Sequence, residues 1–146
     1  MMQGLRVVDI REFENQVGVE IPLFLSGVSA GFPSPASDYV EKTLDLNEYL
    51  IKHPAATYFV HVQGDSMIGA GILSGDLLIV DRSLTPGHNS IVIAMVNGEF
   101  TVKRLRKKNG RIYLMPDNPD FSPIELSGDM QVEIWGVVTY VIHNFA

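Results

Sequence analysis

Two residues are of types that could do chemistry, a serine that could act as a hydroxyl nucleophile and a lysine that could act as an amine base. Ser66 lies in the segment Gly64-Asp65-Ser66-Met67, directly after a strand-like run at residues 57–62. A serine at such a strand-to-turn junction projects its hydroxyl from the end of the sheet, and the following backbone N–H groups are free to face a developing oxyanion. Serine is also a common turn former, so this segment alone leaves a structural role open.

The lysine is Lys103, which lies inside the strand-like run at residues 99–105. Strand alternation places Lys103 on the same face as Thr101 and Leu105, whereas Arg104 points the other way. Beside a leucine the ammonium group loses water, and desolvation lowers the pKa of a lysine because it disfavours the charged form. A neutral amine could accept the proton of a serine hydroxyl. The alternative is a lysine whose stem lies on apolar surface and whose head reaches water.

Other common catalytic arrangements have no support in the sequence. The chain has no cysteine, which excludes disulfide scaffolds, cysteine nucleophiles and thiolate metal sites. No histidine pair stands at metal-ligand spacing, and no Walker loop, dinucleotide fingerprint or G-x-S-x-G elbow is present. We therefore expect neither a metal nor a cofactor. The four histidines are His53, His61, His88 and His143.

Short β-rich runs separated by turns must position the serine and the lysine. Asn97-Gly98 and Asn109-Gly110 are residue pairs that favour hairpin turns. The pattern predicts a mainly β fold in which twisted antiparallel sheets form an open, barrel-like domain over residues 55–146. The predicted strands are residues 57–62, 77–81, 90–96, 99–105, 111–116 and 132–142.

The first third of the chain has a different character. Proline and glycine recur through residues 21–35 among many apolar residues, which predicts an extended arm lying on a surface. Asp45 precedes Leu46, Tyr49 and Leu50, and Pro54 follows, which predicts one short capped helix. Residues 1–50 hold eight acids and three bases, so most of the net charge lies here.

The length of the chain limits the number of domains, and its net charge argues against some classes of binding partner. A chain of 146 residues has room for one domain of ordinary size with a tail. Its net charge of −6 argues against a surface that binds nucleic acid or anionic lipid as a whole, and we expect no direct sequence-specific DNA binding. The charged N-terminus has neither a signal peptide nor a membrane anchor, so we expect a cytoplasmic protein with no membrane partner.

Six of the eleven basic residues cluster in one stretch, residues 103–111. One interpretation is a solvated hairpin edge whose charges discourage edge-to-edge strand pairing. The other is a local nucleic-acid patch. The six are Lys103, Arg104, Arg106, Lys107, Lys108 and Arg111.

Together these segments resemble the LexA/UmuD family of self-cleaving Ser-Lys peptidases. The likeness covers roughly residues 21–142, and the Gly31-Phe32-Pro33-Ser34-Pro35 stretch is similar to the UmuD branch. No helix-turn-helix domain fits before residue 30, which also favours that branch over the repressors. The other matching segments are Gly64-Asp65-Ser66-Met67, Gly71-Ile72 with Gly75-Asp76, Glu99-Phe100-Thr101-Val102-Lys103 and Trp135-Gly136-Val137-Val138.

The resemblance implies a role for each site residue. Ser66 would be the nucleophile, Lys103 its general base and the backbone amide of Met67 an oxyanion donor. The bond cut would be Ala30-Gly31, in the chain's own arm. Residues 1–30 would then be a removable arm, residues 31–54 the remaining arm and short helix, and residues 55–146 the peptidase domain.

The resemblance also implies a biological setting, the SOS response to DNA damage. UmuD proteins resemble LexA in cutting themselves when stimulated by RecA filaments on single-stranded DNA. The shortened UmuD product joins UmuC as a subunit of an error-prone translesion polymerase, and an exposed amphipathic arm favours a homodimer.

Two other interpretations compete with self-cleavage. A type I signal peptidase also uses a serine before methionine with a lysine base, but it works at a membrane, and no stretch here approaches the ~20 apolar residues of a spanning helix. The second is a non-catalytic β-domain that binds a polymerase or repressor partner, with Ser66 and Lys103 merely structural. It differs from the peptidase in whether the chain can cut itself.

Overall fold

The computed structural model describes residues 5–12, 20–24 and 40–146. These residues belong to two compact units, one made of residues 5–12 with 55–146 and the other of residues 20–24 with 40–54. Residues 25–39, which include Ala30-Gly31 and most of the expected extended arm, lie outside the described residues. The division of the chain at residues 30 and 31 therefore remains a prediction.

The larger unit confirms the mainly β fold. Its eight described strands are β1 (Arg6–Glu12), β4 (Thr57–Gln63), β5 (Leu77–Asp81), β6 (Ile91–Val96), β7 (Glu99–Lys108), β8 (Arg111–Met115), β9 (Ile124–Glu125) and β10 (Val132–Ile142). They form a single antiparallel sheet in the order β1-β4-β5-β10-β6-β7-β8-β9, and the sheet is not closed.

Tight turns join the strands where the sequence predicts them. Asn97 and Gly98 connect β6 to β7 with φ angles of 49° and 84°, and Asn109 and Gly110 connect β7 to β8 with 52° and 75°. Positive φ at both central residues matches the twist of a two-residue hairpin, and asparagine and glycine tolerate it best. These turns fix the register of β7, the strand that carries Lys103.

Apolar residues cover both faces of the central strands. In β6, Ile93 packs into one buried cluster with Val60, Leu78 and Val102. Its neighbours Val92 and Ala94 pack into a second cluster on the other face, with Leu105 and Leu114. This explains why β6 is an uninterrupted apolar run rather than an alternating one.

The strand β1 is the main element that the sequence analysis did not identify. It pairs with β4 at the end of the sheet, with Arg6 opposite Gln63 and Glu12 opposite Tyr58. Leu5, just before it, is 2% exposed and belongs to the first apolar cluster. Residues 5–12 are therefore part of the packed body in this structure.

The smaller unit is a hairpin followed by the expected helix. Strand β2 (Glu20–Phe24) pairs with β3 (Val40–Asp45), and α1 spans Leu46–Leu50. The Asp45 side chain accepts hydrogen bonds from the amides of Asn47 and Glu48 at the start of the helix. This N-cap satisfies amides that have no partner within the helix, as the sequence predicts.

Candidate active site

Ser66 lies immediately beyond the end of β4. Gly64 turns the chain there with a φ of 118°, a left-handed conformation that favours glycine. The amide of Gly64 donates a hydrogen bond to Oγ of Ser74, 3.1 Å away, which ties the turn to the loop that follows. The sharp turn brings Ser66 inside the fold, where it is fully buried.

Lys103 lies in β7, between β6 and β8, opposite Val92. Only 6% of its surface is exposed, although its neighbour in sequence, Arg104, reaches solvent. Its Nζ lies 3.3 Å from Oγ of Ser66. The structure therefore brings together the two side chains that the sequence analysis singled out from segments 37 residues apart.

Burial lowers the pKa of Lys103 below its ordinary value, because desolvation penalises the ammonium form. Among the described residues, no carboxylate forms an ion pair with Lys103 that would oppose this effect. At a given pH, the fraction of molecules in which Lys103 is a neutral amine is therefore larger than the neutral fraction of a lysine in water. A neutral amine 3.3 Å from a hydroxyl has the geometry to accept its proton.

The loop after Ser66 is held by its own backbone hydrogen bonds. The amides of residues 68–72 all donate to carbonyl groups; for example, those of Ala70 and Ile72 donate to the carbonyl of Met67. The Met67 amide has no such bond to the described part of the chain. Among the described amides it is therefore the first one after the serine that could donate a hydrogen bond to an oxygen atom of a substrate.

A second loop supports this one from outside the serine segment. The carbonyl of Asp117 accepts the Gly69 amide at 2.8 Å, and the Asp117 side chain binds the Arg104 guanidinium at 2.7 Å. The Asn118 side chain donates to the carbonyl of Asp65 at 2.9 Å. Asp117 and Asn118 therefore help to fix the residues on both sides of Ser66.

Sequence reasoning missed this support. Residues 117 and 118 lie some fifty positions from the serine segment, and nothing in their spacing marks them as its partners. The glycine at position 69 could have indicated a close contact. A Cβ atom at Gly69 would lie 2.5 Å from the carbonyl oxygen of Asp117, so a close backbone approach explains the glycine.

Asp76, from the Gly75-Asp76 pair, anchors the segment that returns from the serine to β5. Its buried carboxylate accepts the Leu73 amide at 2.7 Å and lies 2.5 Å from Nδ1 of His143. Its carbonyl accepts the Val62 amide. It holds the loop in place and makes no contact with Ser66 among the hydrogen bonds of the described residues.

The buried serine has a further neighbour that the sequence did not indicate. The backbone amide of Leu5 donates a hydrogen bond to Oγ of Ser66 at 2.9 Å. A groove of about 530 Å³ is bordered by Leu5, Arg6, Phe100 and Lys103. Ser66 therefore has both Lys103 and Leu5 within hydrogen-bonding distance.

The remaining expectations concern the cleavage bond, metal binding and membrane spans. Ala30 and Gly31 lie outside the described residues, so their distance from Ser66 is not part of the described geometry. Within the described ranges, no group of three or more histidine or acidic side chains could hold a metal ion. Among the helices of those same ranges, none is both long enough and apolar enough to cross a membrane.

Comparison with known proteins identifies the family of the chain. Residues 22–139 match the family described as Peptidase S24-like. The chain belongs to that family. The matched range of this S24 peptidase contains Ser66, Met67, Lys103 and the Ala30-Gly31 bond, whereas β1 lies before it.

Individual relatives agree with the assignment to the S24 family. Protein MucA of Salmonella typhimurium is 51% identical over 135 residues, which cover 91% of this chain and 92% of MucA. Protein SamA of the same species is 52% identical over 84% of this chain and 85% of its own length. The LexA repressor of Bordetella parapertussis is 42% identical over 80% of this chain and 54% of the repressor.

Proposed function

We propose that this S24 peptidase cuts its own chain at Ala30-Gly31 and that Ser66 and Lys103 carry out the reaction. The observation that carries the proposal is the 3.3 Å approach of Nζ of Lys103 to Oγ of Ser66 in a buried setting. Three other facts support it: the lowered pKa of Lys103, the Met67 amide that has no backbone partner among the described residues, and the family match.

The proposed reaction begins with the neutral Lys103. Oγ of Ser66 attacks the carbonyl carbon of Ala30 while its proton moves to Nζ, and the Met67 amide stabilises the resulting oxyanion. The bond between Ala30 and Gly31 then breaks as the ammonium group returns the proton to the Gly31 nitrogen. Water, deprotonated by the same amine, releases Ala30 as a carboxylate and restores the serine hydroxyl.

The biological role that we propose follows the resemblance to UmuD and LexA. Self-cleavage belongs to the SOS response, and RecA filaments on single-stranded DNA stimulate it. The product, residues 31–146, acts in the cytoplasm as a homodimer that joins a UmuC-type translesion polymerase. This part of the proposal is tested by mixing the purified chain with RecA, ATP and single-stranded DNA, and by measuring whether residues 31–146 bind the polymerase subunit.

Mass spectrometry tests the cleavage itself. The purified chain, incubated alone at alkaline pH, should give two fragments with the masses of residues 1–30 and 31–146. The Ser66→Ala chain, treated identically, should stay intact. Cleavage at a different junction would overturn the assignment of Ala30-Gly31. An intact wild-type chain, with and without RecA filaments, would favour a non-catalytic β-domain that binds a polymerase or repressor partner.

A further inference from the structure

The strand β1 occupies the approach to the proposed nucleophile. It pairs with β4, whose end leads into Ser66, and it also lies near β7, which carries Lys103. Because β1 is the last strand on its side of the described sheet, it is held by backbone bonds to a single neighbour. It is therefore near both the strand that leads into the nucleophile and the strand that carries the base.

Leu5 fixes the start of this strand beside the reacting atoms. Its amide is 2.9 Å from Oγ of Ser66, and its side chain is 2% exposed among the apolar residues Val62 and Met67. Burial of an apolar side chain and formation of a hydrogen bond both stabilise the position of Leu5. Leu5 therefore anchors β1 at the site.

Leu5 takes up space beside the nucleophile that a second peptide would need. A carbonyl carbon under attack must come within roughly 3–3.5 Å of the serine oxygen. The Leu5 nitrogen already lies 2.9 Å from that oxygen, and Ser66 is fully buried with Leu5 in place. A peptide that approaches Oγ from the side of Leu5 must therefore displace residues 5–12 first.

We infer that the edge of β4 beside Ser66, on which β1 pairs, is a binding site for one extended peptide strand with an aliphatic residue next to the nucleophile. Residues 5–12 fill this site in the uncut chain, and the cleavage arm enters only after they leave. The inference rests on the proposed self-cleavage. Residues 5–12 thus act as a competing occupant that keeps the nucleophile covered.

The physical consequences follow from the open edge. When β1 leaves, β4 exposes unpaired N–H and C=O groups, which favour pairing with another extended segment. Ser66 and Lys103 gain water at the same time, which weakens the desolvation that lowers the lysine pKa. An arm that pairs with β4 restores both the backbone bonds and the dry surroundings of the amine.

A disulfide that locks β1 in place tests the inference in the full chain. Arg6 and Gln63 are paired residues with exposed side chains, and the chain contains no cysteine of its own. Paired residues in antiparallel strands lie about 4.5–5.5 Å apart between Cα atoms, within the range that a disulfide spans. The test protein carries Arg6→Cys and Gln63→Cys. The control carries Lys108→Cys and Arg111→Cys, a pair in the β7-β8 hairpin.

Cleavage and peptide binding give two separate measurements. We expect the oxidised Arg6→Cys, Gln63→Cys chain to cut itself at least tenfold more slowly than after reduction, while the control pair cuts at one rate in both states. We also expect it to bind a labelled peptide with the sequence of residues 25–36 at least tenfold more weakly when oxidised. Equal binding and equal cleavage in both states would overturn the inference. Weaker binding when oxidised, with no cleavage in any sample, would support the peptide-binding site at the edge of β4 and contradict the proposed self-cleavage.

Discussion

Lys103 and Arg104 are neighbours in β7, yet they lie in different surroundings. Lys103 is buried with its Nζ 3.3 Å from Oγ of Ser66, whereas Arg104 binds the Asp117 carboxylate at 2.7 Å. Strand alternation separates the two side chains, and each face of β7 then has its own task. One face carries the proposed base, and the other holds the loop that supports the serine segment.

Because the two side chains have different surroundings, substitution of Arg104 should affect stability more than the chemical step, unlike substitution of Lys103. Arg104→Ala leaves the Asp117 carboxylate, which is 20% exposed, without its cation. We expect the free energy of unfolding to fall by about 1–3 kcal/mol in urea denaturation. Self-cleavage should continue at a reduced rate, because Asp117 still accepts the Gly69 amide through its backbone. Lys107→Ala, at an exposed position, should leave both quantities unchanged. A folded Arg104→Ala chain with no cleavage would contradict the separation of the two faces.

Substitutions of Ser66 test the nucleophile. Ser66→Ala should stop cleavage because no hydroxyl remains to attack, while circular dichroism should show the same fold. Ser66→Cys should keep part of the activity, because a thiol ionises more readily than a hydroxyl and attacks as the thiolate. Fragment yields by mass spectrometry provide the comparison. Normal cleavage by the Ser66→Ala chain would show that another group attacks the bond.

Asp76 should matter for stability rather than for the chemical step. Asp76→Ala removes the acceptor of the Leu73 amide and the partner of His143, and the site is buried. An amide left without an acceptor in such a site costs about 1–3 kcal/mol, which urea denaturation measures. Asp76→Asn, which keeps one acceptor oxygen, is the matched control and should lose less. Equal stability of the Asp76→Ala chain and the wild type would contradict this role.

Gly31 should determine whether the bond can approach the serine. Gly31→Val places a β-branched side chain beside the bond that Ser66 attacks, and crowding should block cleavage without unfolding the body. Gly128→Val is a useful control because a Cβ atom at Gly128 meets nothing within 4 Å and the site is far from Ser66 in sequence. Mass spectrometry after alkaline incubation gives the result. A Gly31→Val chain that cuts as fast as wild type would contradict the choice of bond.

The sequence predicts the features that rest on local rules. The Asn97-Gly98 and Asn109-Gly110 turns, the strands that they join and the Asp45 cap depend on neighbouring residues, and the structure confirms them. The pairing of Ser66 with Lys103 came from the family resemblance joined to strand alternation. The distance between the two side chains agrees with that pairing.

The contacts that the sequence did not predict are long-range. Strand β1 pairs with β4 across about fifty residues, and its short mixed pattern gives no sign of that partner. The same holds for Asp117 and Asn118, whose bonds to Gly69 and Asp65 depend on where the β8-β9 connection lies in space. Such contacts follow from the assembled sheet rather than from spacing along the chain.

The most direct test of the account is the rate of self-cleavage as a function of pH, measured for the wild type and for Lys103→Arg. Burial lowers the pKa of Lys103, so the neutral fraction, and with it the rate, should rise as pH passes through the lowered value and then level off. In the same interval the unfolded chain holds this proton more tightly than the folded chain, so the contribution of Lys103 to the free energy of unfolding increases with pH. A rise in the cleavage rate over this interval therefore cannot be explained by a loss of stability caused by Lys103.

The Lys103→Arg chain should be inactive across the whole range, because a guanidinium stays protonated and cannot accept the serine proton. Lys103→Ala should lose roughly 10²–10⁴-fold in rate at every pH, the usual contribution of a general base. A wild-type rate that stays flat from neutral to alkaline pH in a folded chain, or a Lys103→Arg chain that cuts as fast as wild type, would contradict the Ser66–Lys103 mechanism.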